Sequence, residues 1–380
     1  MDNATPSRGE RGSVSVLAAL LLVAVCGMGA FAVDYGYLRW KRSQLQTAVD
    51  AAALAGAAGL VSYGQDLARI RAEAVTFGRA NIDARDNPAL ALTQGDVSVN
   101  LNIPGWVEVT AGFTAARGNP VRLFLGPVLG LNASDVSATA RAEIFCSTTS
   151  RCIKPWSVPT KFTWNDTCGE AKYHNGVLDT QVPCEMASIN VQGYGPGDVG
   201  TQIVLKTGAP HATIAPGQYS PVDLPPVGSG QPVTGGSAYR DNIAGCTGAN
   251  NTDVTVQDFL QLEPGNMVGP TKQGIQDLIA QDPGAYWDAS TSSVRGSTYP
   301  DSMASPRVGI ITFFDPRDPP TSGRNTIVVY QLGAVFVEGI NGAGDVTGRF
   351  VNATAVSPVR GAGGNCGTLW GISLTRDSTR

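Results

Sequence analysis

The chain has 380 residues and a formal net charge of −4, and only 15% of its residues are charged. That length suffices for two or three domains, and the mildly acidic balance gives no basic field with which to bind nucleic acid. Glycine and proline number 46 and 24, with nineteen of the prolines after position 150, so the back of the chain is predicted loop-rich and β-leaning and the front helical.

Residues Gly12 to Val33 form a run of 22 without a charged side chain. As a helix this run spans about 33 Å, close to the hydrocarbon thickness of a bilayer. Arg8 and Arg11 precede it, and Ala30-Phe31-Ala32 has the form of a signal-peptidase site, so an exported protein cleaved after Ala32 is the competing reading. A retained anchor is preferred because the run is longer than a signal core and the helical pattern does not stop at its end. No proline occurs between Ser7 and Asn87, and Tyr35, Leu38, Leu45, Val49, Ala52, Gly56 and Leu60 fall near one helical face. Phe31, Tyr35, Tyr37 and Trp40 stand where an aromatic belt meets lipid headgroups. Arg39, Lys41 and Arg42 outnumber Arg8 and Arg11, which by the positive-inside rule places the body in the cytoplasm. The cysteines favour the opposite side.

The segment Arg11 to Leu60 resembles the N-terminal domain of the TadE/TadG-like proteins of Flp (Tad) pilus assembly. The resemblance rests on Arg11-Gly12 before the apolar run, Asp34-Tyr35-Gly36 at its exit, Leu45-Gln46 one turn before Asp50, and the small-residue run Asp50-Ala51-Ala52-Ala53-Leu54-Ala55-Gly56-Ala57. It implies a membrane-spanning and stalk helix over 12–60 after a cytoplasmic tail at 1–11. It also implies a small pilin-like α+β domain over 61–145, with a long helix on a small antiparallel sheet. A face of alanine and glycine lets another helix approach closely, so Arg11, Gly12, Asp34, Gly36, Leu45, Gln46, Asp50, Ala53 and Gly56 are the expected membrane and helix-docking residues. Processed type IV pilins carry a glycine with glutamate five residues on; here Gly9 is followed at that distance by Val14 and Gly12 by Leu17. That departure favours an anchored TadG-like component over a polymerising subunit.

Asp66 to Ile82 reads as an amphipathic helix, with Leu67, Ile70, Ala74 and Phe77 inward. Asp96–Asn102 and Trp106–Thr114 read as strands around a Pro104-Gly105 turn, Val121–Leu131 as a short helix broken near Pro127, and Val136–Ile144 as an alternating strand. Beyond 146 a β-rich extracytoplasmic domain is expected to residue 380. Its strands are placed at Thr201–Lys206, Val308–Phe314 and Thr326–Val337, with a bulge at Gly333. A helix is predicted from near Thr271 to Gln281, and a surface loop over Pro221–Gly236. Cys26 lies in the apolar run, leaving Cys146, Cys152, Cys168, Cys184, Cys246 and Cys366 as an even set. Such a set suits an oxidising compartment and up to three disulfides, in any of 15 pairings.

Candidate chemistry is sparse. Asp288-Ala289-Ser290-Thr291-Ser292 spells the D-x-S-x-S that opens the magnesium site of von Willebrand factor A domains, but the residues before it supply no buried strand, so a capped turn is expected. Asp315-Pro316-Arg317-Asp318 reads as a solvated turn with local ion pairing. His174 and His211 read as loop surface, and no G-x-S-x-G turn is present for a hydrolase. The expectation is therefore an α+β, non-enzymatic, single-pass protein of the bacterial cytoplasmic membrane with its body outside. It is expected to need no cofactor, metal, nucleic acid or small-molecule substrate, and to pack its helix against pilus or secretion-apparatus proteins. An exported adhesive module and an anchored envelope hydrolase are the alternatives.

Overall fold

The computed structural model describes residues 11–82, 92–102, 104–208, 221–321, 323–361 and 367–377. The chain forms two compact units, Met1–Glu143 with Leu374–Arg380, and Ile144–Ser373. The α+β class expected from the sequence is the class observed, with a long apolar N-terminal helix followed by β-rich structure.

The first unit opens with α1 (Arg11–Tyr63), an unbroken helix of 53 residues. Gly64, in the left-handed region at φ +57°, reverses the chain. Asp66 then caps α2 (Leu67–Ala80) by accepting from the Arg69 backbone N–H at 3.1 Å. The buried face of α2 is Ile70, Ala74, Val75 and Gly78. Phe77, expected inward, is exposed, because the stripe follows the 70–74–78 spacing and Gly78 takes the place nearest α1. Strands β1 (Val97–Asn100) and β2 (Trp106–Phe113) form an antiparallel hairpin, and β2 continues the sheet to the strand Val136–Cys146 in the register Trp106↔Glu143 to Phe113↔Val136. Glycine is required at the hairpin turn, since a Cβ on Gly105 would meet the Asn100 carbonyl oxygen at 2.5 Å. Val136, Ala138, Ala140 and Ala142 alternate inward as expected. Val121–Leu131 is not a broken helix. It is a two-residue strand, Val121–Arg122, followed by a 3-10 turn at Gly126–Leu129.

In the second unit a five-stranded sheet runs in the order Gln202–Lys206, Val346–Phe350, Gln331–Ile340, Val308–Phe314, Ile153–Pro159. Neighbours are antiparallel except the last pair, which is parallel. Helices Gly236–Ala244 and Val268–Gln281 contribute Tyr239, Ile243, Ile275 and Leu278 to a core with Trp156, Phe313, Val335 and Phe350. A second core forms around a three-stranded sheet of Val222–Val227, Phe259–Leu262 and Thr326–Val328.

Three sequence expectations fail here for identifiable reasons. Thr326–Val337 is two strands, because the chain changes partner: Val328 pairs with Phe259, whereas Leu332 pairs with Thr312. Gly333 sits in regular register opposite Ile311, and the irregularity lies instead between Val337 and Gly339. Within Pro221–Gly236, Val222–Val227 is a buried strand rather than a surface loop; the shift in pairing after Asp223 accommodates Pro225 and Pro226.

Disulfides join Cys152 to Cys246 and Cys168 to Cys184. Cys146 is also disulfide-bonded, while Cys366 and His211 lie outside the described residues. Cys26 is a free, exposed thiol.

Candidate functional site

The site is α1 and what surrounds it after the apolar run. Val14 to Val33 are exposed along nearly their whole length, with Leu17, Leu20, Leu21, Leu22, Met28 and Phe31 each at least 63% exposed. A continuous apolar surface of this kind is unfavourable in water and suits a bilayer. Among the described residues this is the one helix long and apolar enough to cross a membrane. The backbone of Arg11 and Gly12 is helical.

Asp34 is a single buried residue at the end of this run, between exposed neighbours. Its carboxylate accepts from three consecutive backbone N–H groups: Phe124 at 2.7 Å, Leu125 at 3.1 Å and Gly126 at 2.6 Å. It therefore caps the 3-10 turn at Gly126–Leu129 and ties that loop to the helix, using the preference of a short helix's unpaired N–H groups for an anion. Next along the helix, Phe31 stacks on Tyr35 with centroids 5.8 Å apart, and Arg39 donates to the Tyr35 hydroxyl at 2.8 Å. Tyr37 meets Phe124 edge-on at 4.8 Å. Lys41 is buried, with its ammonium 5.0 Å from the Trp40 ring centroid and 5.9 Å from that of Phe113. Aromatic faces thus hold this cation. Gly36 is open, with nothing within 4 Å of where a Cβ would stand.

From Leu45 onward α1 is a core helix. Leu45, Ala48, Val49, Ala52, Ala53 and Ala57 are completely buried, in the i, i+3, i+4, i+7 pattern of one helical face. Their small size lets α2 approach: a Cβ on Gly78 would lie 3.0 Å from the Ala52 Cβ and 3.3 Å from the Ala48 carbonyl oxygen. A Cβ on Gly59 would lie 3.4 Å from the Ile70 Cα, and one on Gly56 would strike Val107 Cγ1 at 2.7 Å. Gln46 donates to Asp50 at 2.7 Å and to the Thr139 carbonyl oxygen on the sheet at 3.4 Å.

The expected docking residues therefore separate into two sets. Ala53 and Gly56, with Leu45 and Gln46, are occupied within their own unit, so the Ala/Gly face from 48 to 57 has no room for a second helix. Beyond Leu45 the stalk half of the helix is the spine of a folded unit, packed on α2 and the small sheet. Gly36 and the exposed apolar run keep an open surface. Asp34 is the residue whose role sequence reasoning missed. The signal was a carboxylate directly after an apolar run, which demands a specific partner.

The other candidates resolve into local structure. Asp288 accepts from the Ser290 backbone N–H at 2.9 Å, the Ser290 hydroxyl at 2.7 Å and the Thr291 hydroxyl at 2.8 Å, at the tip of the hairpin Tyr286–Asp288/Ser293–Arg295. It is a capped turn, and these hydrogen bonds hold its carboxyl below the ordinary range. Asp315 and Arg317 form an ion pair within one exposed turn. His174 ends a 3-10 turn at the surface.

Buried charge in the second unit is hydrogen-bonded into the fold. Lys154 Nζ donates to the Ile243 carbonyl oxygen at 2.6 Å, at the C-terminal end of Gly236–Ala244, and burial pulls its pKa down to about 8. Arg307 donates to the carbonyl oxygens of Ala285, Val337 and Glu338. Beside it Asp282 accepts from Ser297, Thr298 and Ser305. Burial of Asp223, reinforced by a hydrogen bond with Glu263, raises its pKa to about 7.

Residues 12–59 match a family described as putative Flp pilus-assembly TadE/G-like, the family that the sequence motifs resemble. The match covers nearly all of α1 and stops before α2. Comparison with curated proteins and with solved structures returns no match.

Proposed function

We propose that this chain is a membrane-anchored, non-enzymatic component of Flp (Tad)-type pilus assembly, held in the bacterial cytoplasmic membrane by the first half of α1 with its body outside. The N-terminal segment carries the pilus-assembly family domain. The observation that carries the reading is the coincidence of that match with one unbroken helix, lipid-like in exposure to Val33 and core-like from Leu45. Such a helix transmits position directly, because moving the membrane half moves the folded unit built on the other half.

Docking on other membrane helices is assigned to the open half. Ala32 and Gly36 lie one turn apart, and both Gly29 and Gly36 lack neighbours within 4 Å of a Cβ position, as a close helix–helix contact in lipid requires. Two cystine bridges in the second unit support placement of the body in an oxidising compartment. The non-enzymatic reading rests on the pilus-assembly family match of the N-terminal segment.

The test is genetic and biochemical together. A deletion strain should lose surface pili and regain them with the wild-type gene. Gly36→Leu should reduce piliation while the protein stays at normal abundance in the cytoplasmic-membrane fraction. Full piliation without the gene contradicts the assembly role, and full piliation with Gly36→Leu contradicts this docking face.

A further inference from the structure

The loop Leu123–Leu131 carries an apolar surface that the anchor alone does not explain. Phe124 is 64% exposed, Val128 84% and Leu131 59%, and no charged residue occurs from Leu123 to Ser134. We infer that this loop is a second membrane-contacting element, seated in the headgroup and upper acyl region of the leaflet that faces the folded body; the inference rests on the anchor reading above.

Three observations support lipid as the occupant. First, depth: the loop is hydrogen-bonded through three backbone N–H groups to Asp34, the residue directly after the exposed apolar run of α1. Phe124 also packs on Tyr37 in the next turn. The loop is therefore fixed at the level where the helix leaves the hydrocarbon. Second, the backbone is prepared for a water-poor boundary. The Phe124, Leu125 and Gly126 N–H groups bind Asp34, Val128 N–H binds the Leu125 carbonyl oxygen, and Leu131 N–H binds that of Gly126. Pro127 has no N–H to satisfy. Irregular backbone tolerates low polarity only when satisfied in this way. Third, the composition fits an interface: an apolar tip whose Phe124 packs on Tyr37, which in turn neighbours Trp40, with Arg122 and Asp135 at its ends. One helix fixes depth but leaves rotation about its own axis free. A second contact beside it would set the azimuth of the first unit on the membrane.

The test uses the full chain in phospholipid nanodiscs, with native disulfides intact and a Cys26→Ala background. Val128→Cys and, separately, Leu131→Cys carry an environment-sensitive fluorophore. Leu22→Cys reports the hydrocarbon and Val233→Cys, an exposed position of the second unit, reports water. Quenching by aqueous iodide and by lipids spin-labelled near the headgroup is measured for each. The proposal expects iodide quenching at Val128 and Leu131 to be several-fold weaker than at Val233, with strong quenching by the shallow lipid label. Quenching at both loop sites like that at Val233, while Leu22 stays protected, overturns the loop contact and leaves the anchor standing. Iodide access to Leu22 overturns the anchor reading and this inference with it.

Discussion

Gly56→Ala separates packing within the unit from docking outside it. In a helix interior alanine is favoured over glycine by about 1 kcal/mol, so a free face should be stabilised. Here the new Cβ would lie 2.7 Å from Val107 Cγ1 and 3.3 Å from the Ala74 Cβ, inside the normal carbon–carbon contact of about 3.5–4.0 Å. Overpacking of this kind costs about 1–3 kcal/mol, so the net expectation is a loss of roughly 1 kcal/mol, with the sign opposite to propensity. Val107→Ala alone removes two buried methyl groups at about 0.8 kcal/mol each, plus a cavity term. The double variant removes the clash, so its loss should fall short of the sum by at least about 0.5 kcal/mol. The assay is native-state hydrogen exchange of α2 peptides in the full chain in nanodiscs, with Gly36→Ala as the control whose Cβ meets nothing. Unchanged or increased α2 protection in Gly56→Ala, together with additivity in the double variant, would refute the packing assignment.

Further consequences follow from single sites. Asp34→Ala strips the acceptor from three N–H groups; at about 1–3 kcal/mol for an unmet buried group, exchange of residues 124–126 should quicken markedly while α2 is unaffected, and equal protection would contradict the cap. The raised pKa of Asp223 means that its native state holds a proton which the unfolded chain releases from near pH 3.8. The stability linked to that proton is complete below about pH 3.8 and lost as pH rises to about 7. Asp223→Asn should flatten that decline and stabilise the second unit above pH 7 in urea titrations; an unaltered pH slope would count against the buried carboxyl pair. The Cys152–Cys246 bridge spans 94 residues and Cys168–Cys184 spans 16. Loop-closure entropy makes the first worth about 4–5 kcal/mol and the second about 3, so Cys152→Ser/Cys246→Ser should lower the urea midpoint of the second unit further than Cys168→Ser/Cys184→Ser. The reverse order would show that unfolded-chain entropy is not what the bridges mainly act on.

Local pattern made the first unit readable. An unbroken stretch without proline gave α1, apolar residues at spacings of three and four gave α2, and strict alternation gave Val136–Ile144. The family resemblance was carried by residues of α1 alone. What the sequence concealed was which partner each surface meets. Asp50–Ala57 has the composition of a docking face because close helix packing needs small residues, and composition cannot distinguish a partner in the same chain from one in another. Asp34 spoke only of a membrane exit until its three N–H donors, some 90 residues on, were in place. In the second unit Ile153–Pro159 went unread because Lys154 and Pro155 argue against a buried strand; the Ile243 carbonyl oxygen satisfies the first, and a shift in pairing between Ile310 and Thr312 accommodates the second.

The claim on which the rest depends is that α1 stays whole, with one half in lipid and the other in a folded core. Intact mass spectrometry of the native chain, taken separately from washed membranes and from the soluble envelope fraction, tests it most directly. The account predicts a membrane-bound species that retains Val14 to Val33. A soluble species beginning at Val33 would contradict it.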